Sequence, residues 1–208
     1  MLRLYYADIR GLDEADALYP PRSASPGSAF GTSLLAYAYQ DTVGLTPRKL
    51  ARTLLGLNSL PDDPGYHFSL SHSKTHVLVA VSDKPVGVDT ETHRRLPLQT
   101  VEKLTTPAER ACLPFFDTWV LRESYYKLTG KGDLRTLRFY RRGGKLVPPD
   151  EEVFCRLYRD IPGSSAAVCT YDGDFPEAMI AVPPEKLLKA DAAHALKVTR
   201  RAQSTADR

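Results

Sequence analysis

The chain has 208 residues, with 28 Lys and Arg against 25 Asp and Glu and a formal charge of +3. That length buries a sizeable core as one domain or two lobes, and 42% hydrophobic with 25% charged residues excludes collagen, coiled coil and global disorder. The small, evenly spread charge makes no case for nucleic acid, which calls for a concentrated basic stripe; it suits an acidic partner or a polyanionic small ligand. No apolar run approaches the roughly 18 residues of a membrane span, and Met1–Asp8 meets charge too early for a secretory signal. Cys112, Cys155 and Cys169 are scattered, odd in number and without CxxC spacing, so free thiols in a cytoplasmic location are expected.

In chain order, Leu2–Ile9 reads as a strand and Pro20–Gly27 as a loop by composition. Phe30–Tyr39 carries apolar residues at helical spacing. A second helix is predicted from Thr46, with Pro47 at its first position, to Gly56, followed by turns over Asn58–Gly65. Tyr66–Ser71, Val77–Val81 and Val86–Glu91 read as strands, with the turn at Asp83-Lys84-Pro85. Thr106-Pro107-Ala108-Glu109 has the pattern of a capping box, and Phe116–Thr129 reads as the strongest helix, ended by Gly130. Strands are predicted at Leu137–Tyr140, Val153–Tyr158, Ala166–Tyr171 and Ala178–Val182, and a frayed, charged tail from about Ala190. Helices and strands mix within each half, so the fold class is α+β, with the second half loosely repeating the first.

Asp89 and Glu91, two apart on a strand, leave the same face, where two anions repel unless water, a base or a cation intervenes. A bare DxE pattern more often marks a solvated strand end. On the following helix, Trp119, Glu123 and Lys127 share one stripe. An exposed Glu123–Lys127 pair would be worth only about 0.3–0.5 kcal/mol. Trp119 should face the core, however, which carries the two charges to an interior or cleft where they need partners.

Three segments, Phe68-Ser69-Leu70-Ser71-His72-Ser73, Gly87-Val88-Asp89-Thr90-Glu91 and Trp119 through Gly132, resemble in order and spacing the signatures of 4′-phosphopantetheinyl transferases. The resemblance is to the larger, surfactin-type branch; it covers roughly Arg22 to Val182 and is firm from Phe68 to Gly132. It implies a pseudo-dimeric fold of two lobes, here 1–94 and 95–189, each a small antiparallel sheet with packed helices. It also implies a cytoplasmic monomer that moves the phosphopantetheine arm of coenzyme A to a serine of an apo acyl or peptidyl carrier protein, releasing 3′,5′-ADP. No nucleic acid or membrane takes part.

By the same resemblance Asp89, Glu91 and Glu123 match the family's Mg2+ positions, and oxygen ligands with few carboxylates are what magnesium prefers. Lys127 matches a lysine on the phosphate under attack, where a compact charge stabilises developing charge. Glu123 doubles as general base for the carrier serine, while Glu109 matches another family position near the site and reads equally well as a helix cap. Ser71 and His72 match a pair that contacts phosphates of coenzyme A, and Arg22 stands where many members carry basic residues. Trp119, Tyr125 and Tyr126 read as packing residues. The segment between Arg94 and Thr106 is read as the carrier-docking loop.

Departures lie mostly upstream. Gly56-Leu57-Asn58 replaces a common Gly-Lys-Pro, ahead of the expected Pro61, and Arg122 replaces a lysine. The eroded motif motivates an alternative, a catalytically degenerate module that holds coenzyme A or a carrier protein. His72 and His76 have HxxxH spacing but lack the glutamate of a zinc protease, and there is no Walker loop or Gly-x-Ser-x-Gly elbow.

Overall fold

A computed structural model describes residues 1–44 and 65–206. The helix expected from Thr46 to Gly56, most of the Asn58–Gly65 turn and the Gly56-Leu57-Asn58 departure lie outside the described residues. The elements run β1 (Leu2–Asp8), α1 (Ser28–Val43), β2 (His67–His72), β3 (His76–Ser82), β4 (Val86–Thr92), α2 (Leu98–Leu104), α3 (Pro107–Arg110) and α4 (Phe115–Thr129). Then follow β5 (Tyr140–Arg142), β6 (Lys145–Val147), β7 (Phe154–Tyr158), β8 (Ser164–Thr170), β9 (Ile180–Ala181) and α5 (Ala190–Ala206). The α+β expectation holds, with small, mostly antiparallel sheets.

One sheet has the order β2-β3-β1-β9, the other β4-β8-β7, and β5-β6 is a separate hairpin. Each main sheet is laid down as a strand, a helix and an antiparallel hairpin whose second strand pairs with the first strand laid down: β1-α1-β2-β3, then β4-α4-β7-β8. By chain segment, 1–94 supplies β4 to the second sheet, and 95–189 supplies β9, which runs parallel to β1.

Alternation along the strands builds the layers. On β3, Val77, Val79 and Val81 face a core with Phe30, Leu34 and Tyr39 of α1, while Leu78 and Ala80 face a second core with Val86, Val88 and Val168. On β8, Ala166 and Val168 join that middle core, and Ala167 and Cys169 face a third, with Val120, Leu121 and Tyr125 of α4. The order is therefore helix, sheet, sheet, helix. β3 and β8 are buried on both faces, which explains their unbroken apolar and small-residue runs.

α4 ends at Gly130 as predicted, and α1 ends the same way at Gly44: the two glycines take left-handed φ of 65° and 70° and return their N–H groups to Tyr126 and Gln40. Other expectations are corrected. The strand expected at Leu137–Tyr140 begins only at Tyr140, because Phe139 turns fully into the third core. Ala178–Val182 shrinks to two residues of strand, closely followed by Pro183-Pro184. Where composition predicts a frayed tail, the chain from Ala190 is helical, with Ala192, Ala193 and Leu196 packed against the first core. Cys155 and Cys169, distant in sequence, are direct cross-strand partners with sulfurs 2.6 Å apart. Among the described residues no helix is long and apolar enough to cross a membrane.

Candidate active site at the seam between the sheets

The two sheets meet where β2 lies beside β4, and two serines make the join. An unpaired strand edge leaves backbone N–H groups that need acceptors. Ser69 Oγ accepts from Val88 N at 3.0 Å, and Ser71 Oγ accepts from Thr90 N at 3.2 Å. Ser71 then donates to Asp89 Oδ1 at 2.7 Å. Spaced by two, these hydroxyls share one face of β2, so Phe-Ser-Leu-Ser joins the two sheets along this edge.

α4 closes the seam from the other side, and Gly87 lets it approach. A Cβ at Gly87 would lie 2.0 Å from the carbonyl oxygen of Ser124 and 2.6 Å from the amide nitrogen of Leu128. Only glycine permits that backbone-to-backbone contact. It delivers Lys127 to the edge of β4, where Nζ lies 2.8 Å from Asp89 Oδ1 and 3.1 Å from Val88 O. The intrahelical Glu123–Lys127 pair suggested by spacing is thus corrected: the lysine goes to Asp89, a stronger partner because burial denies that carboxylate water.

Ser71, His72, Asp89, Glu91, Glu123 and Lys127 line one polar pocket of about 310 Å³, with Leu70 and Thr90. Arg22 lies outside it. It lines an adjoining cavity of about 320 Å³ that shares Leu70, His72 and Lys127, and its guanidinium sits 5.6 Å from the centre of the Phe68 ring. Gly27, at φ 89°, brings the start of α1 against the His72 side chain.

The pocket is electrostatically tense. Burial pushes the Asp89 carboxyl above its ordinary range, although Lys127 and the Ser71 hydroxyl pull it back and Glu91 adds to the rise. Glu123 is also raised, by burial first and then by the charge of Asp89, with Lys127 opposing. Glu123 makes no hydrogen bond or ion pair among the described residues. Glu91 is held by Arg94, whose Nη1 lies 2.8 Å from Oε2 and whose guanidinium sits 5.2 Å from the centre of the Phe116 ring.

No protein-family model matches the chain. Among curated proteins it is similar to the 4′-phosphopantetheinyl transferase Sfp of Bacillus subtilis (strain 168), 30% identical over 64% of this chain and 67% of that protein. A second transferase of B. subtilis, ffp, is 31% identical over the same shares, and psf-1 of Bacillus pumilus is 38% identical over 51% of this chain and 54% of its own length. The chain belongs to the Sfp-like 4′-phosphopantetheinyl transferases.

In this transferase the remaining predicted residues divide between the pocket and the scaffold. Glu109 is fully buried and does not line the pocket. It completes the capping box with Thr106 and pairs with buried Arg122, Nη2 to Oε1 at 2.6 Å. Burial pushes the Glu109 carboxyl up, but the Thr106 N–H and the Arg122 guanidinium outweigh it, and the group titrates below its usual range. Arg122 also donates to Leu104 O at 2.6 Å, so the arginine that replaces a family lysine pins α4 to α2. The segment between Arg94 and Thr106, read from sequence as a loop, contains the helix α2.

The packing assignments are mixed. Tyr125 packs edge-on against Phe139, as expected, but Tyr126 is 44% exposed. Trp119 is half-buried, outside the three cores, and stacks on Phe115. The premise that Trp119 faces the core fails, although Glu123 and Lys127 do reach a cleft. Sequence reading missed Ser69, Gly87 and Arg94 as contributors. The serine alternation on β2 and the glycine two residues before Asp89 were available signals; the Arg94 contact depends on how the chain turns after β4.

The donor chemistry suits a hard divalent cation: three carboxylates reach one pocket, and two of them titrate high through burial and mutual repulsion. Among the described residues no three such side chains are drawn into a preformed metal cluster. Asp89 instead shares its charge with Lys127.

Proposed function

We propose that the transferase moves the 4′-phosphopantetheine arm of coenzyme A to a serine of an apo acyl or peptidyl carrier protein, with magnesium, releasing 3′,5′-ADP. The observation that carries this reading is the convergence of β2, β4 and α4 on one polar pocket lined by Ser71, His72, Asp89, Glu91, Glu123 and Lys127.

Magnesium would be held by Asp89, Glu91 and Glu123, and when bound it would neutralise pyrophosphate charge. Lys127, anchored by Asp89 and the Val88 carbonyl, presents a fixed cation to the phosphate under attack, so little reorganisation is needed as charge develops. Glu123, free of hydrogen-bonded partners among the described residues and lining the pocket, accepts the proton of the carrier serine. His72 faces the phosphates, and Ser71, whose one O–H is donated to Asp89, positions that carboxylate beside them. Arg22 with Ser28 and Thr32 offers a polar adjoining cavity for the rest of coenzyme A.

We further read the repeated strand-helix-hairpin as two lobes of a pseudo-dimer, 1–94 and 95–189, each lending one strand to the other's sheet. The protein would act as a cytoplasmic monomer, with the carrier protein docking on the Arg94–Thr106 segment. The test is labelling of apo carrier protein by fluorescent coenzyme A with magnesium. Asp89→Ala and Glu123→Ala should each lower the rate by about 10²–10³-fold. Undiminished labelling by both would reject the site. Absence of the added phosphopantetheine mass on every carrier tried would reject the reaction.

A further inference from the structure

A cavity of about 600 Å³ lies away from the seam, between β7 and the β5-β6 hairpin. Its lining includes the consecutive residues Val153 to Leu157, and it takes them from both faces of the sheet. Cys155 and Leu157 belong to the α4 side, while Phe154 leans on Gly173 and Phe175 belongs to the middle core. A cavity can touch both faces of one strand only at the strand's open edge.

That edge is unpaired. β7 is the last strand of its sheet and bonds to β8 alone. In an antiparallel ladder, alternate residues point N–H and C=O away from the partner. No backbone group of Phe154–Tyr158 is bonded outside β8 among the described residues. β4, the opposite edge of the same sheet, has its N–H groups satisfied by Ser69 and Ser71. The β7 edge has no such cover, and Arg141, Lys145 and Arg156 surround it against one acid, Glu151. Leu146, Val147 and the 48% exposed Phe154 add apolar contact.

We propose that the open edge of β7, flanked by the β5-β6 hairpin, binds an extended acidic peptide segment that adds as a fourth strand. Main-chain bonds supply the pairing, the basic rim selects carboxylates, and the apolar wall takes the alternate side chains. Phosphopantetheinyl transfer is not needed for this binding, so the two readings fail separately.

The probe is a fluorescent acetyl hexapeptide of alternating Glu and Val, titrated against the full chain by fluorescence anisotropy, with amide hydrogen exchange as structural readout. Saturable binding is expected, with slowed exchange at Phe154–Tyr158. Methylating the peptide's alternate backbone nitrogens, or the double variant Arg141→Glu/Lys145→Glu, should each weaken it by about tenfold, and the double variant should keep its labelling activity. No saturable binding, equal affinity for the methylated peptide, or unchanged exchange on β7 would each overturn the proposal.

Discussion

The helices α1 and α4 hold equivalent places, each between the first strand and the hairpin of its sheet and packed on that sheet's outer face, yet they are built for different work. α1 buries Phe30, Leu34, Leu35 and Tyr39 with small residues between them, and its buried face carries no charge. α4 buries Asp117 and Arg122 and lends Glu123 and Lys127 to the pocket. The contacts differ in kind as well. A Cβ at Gly31 of α1 would meet the Leu70 side chain at 3.1 Å, whereas one at Gly87 beneath α4 would meet backbone at 2.0 Å. A side-chain cushion can give way; a backbone contact fixes the helix. The pocket takes its three carboxylates and its lysine from β4 and α4, whose approach is fixed by backbone and buried charge, and Ser71 and His72 from β2 of the other sheet.

The largest effect should come from that buried charge. Glu109→Gln leaves Arg122 buried without its ion partner, and a loss of about 3–5 kcal/mol is expected. The ion pairs of the first half, Arg3–Asp41 and Arg10–Asp8, lie towards the surface, where water screens them, and their removal should leave the melting temperature nearly unchanged. Glu109 and Asp117 both titrate below their ordinary values, Asp117 because the bond from Arg159 leads the influences that outweigh burial. Their contribution is therefore complete above about pH 5 and is lost as pH falls through the lowered values. The single tryptophan, Trp119 on α4, should report acid unfolding of this half first, and equal melting of both variant classes would erase the contrast.

Next comes the contact itself. Gly87→Ala should cost about 3 kcal/mol and lower labelling, because α4 must shift with its lysine and glutamate. Gly31→Ala should stay within about 1 kcal/mol, helix propensity offsetting the movement of Leu70. Thermal melts of the two variants decide whether backbone or side chain sets the approach.

Ser71→Ala strips Thr90 N–H of its acceptor and Asp89 of a donor, and should cost about 1–2 kcal/mol. Losing a bond that favours the Asp89 carboxylate should also move the acidic limb of the rate profile to higher pH, which a pH series on the variant measures.

The smallest effect has the opposite sign. Glu123 has a raised pKa, so its ionisation costs stability as pH rises through the folded value. Glu123→Gln should stabilise by about 0.5 kcal/mol at neutral pH and by nothing below about pH 4, with labelling lost. A variant that is less stable at neutral pH would show that Glu123 is held by partners and not strained.

Much of this was legible in the chain because it is local. Thr106 to Glu109 spells a cap, Gly130 ends α4, and the alternation of Asp89 with Glu91 puts both carboxylates on one strand face. Contacts between distant segments were not legible. Nothing in helical spacing says that Lys127 abandons Glu123 for Asp89, 38 residues away, or that Arg122 and Glu109 meet in a dry interior. The Trp119 argument shows the limit: periodicity grouped the right residues, but which face a stripe presents depends on what packs beside it.

The three carboxylates that line the pocket were thus picked out by the sequence alone, through residue type and spacing. Their acidity, partners and shared pocket were decided by tertiary structure, because desolvation and Coulomb energies depend on distances that only the closed seam between β2, β4 and α4 defines.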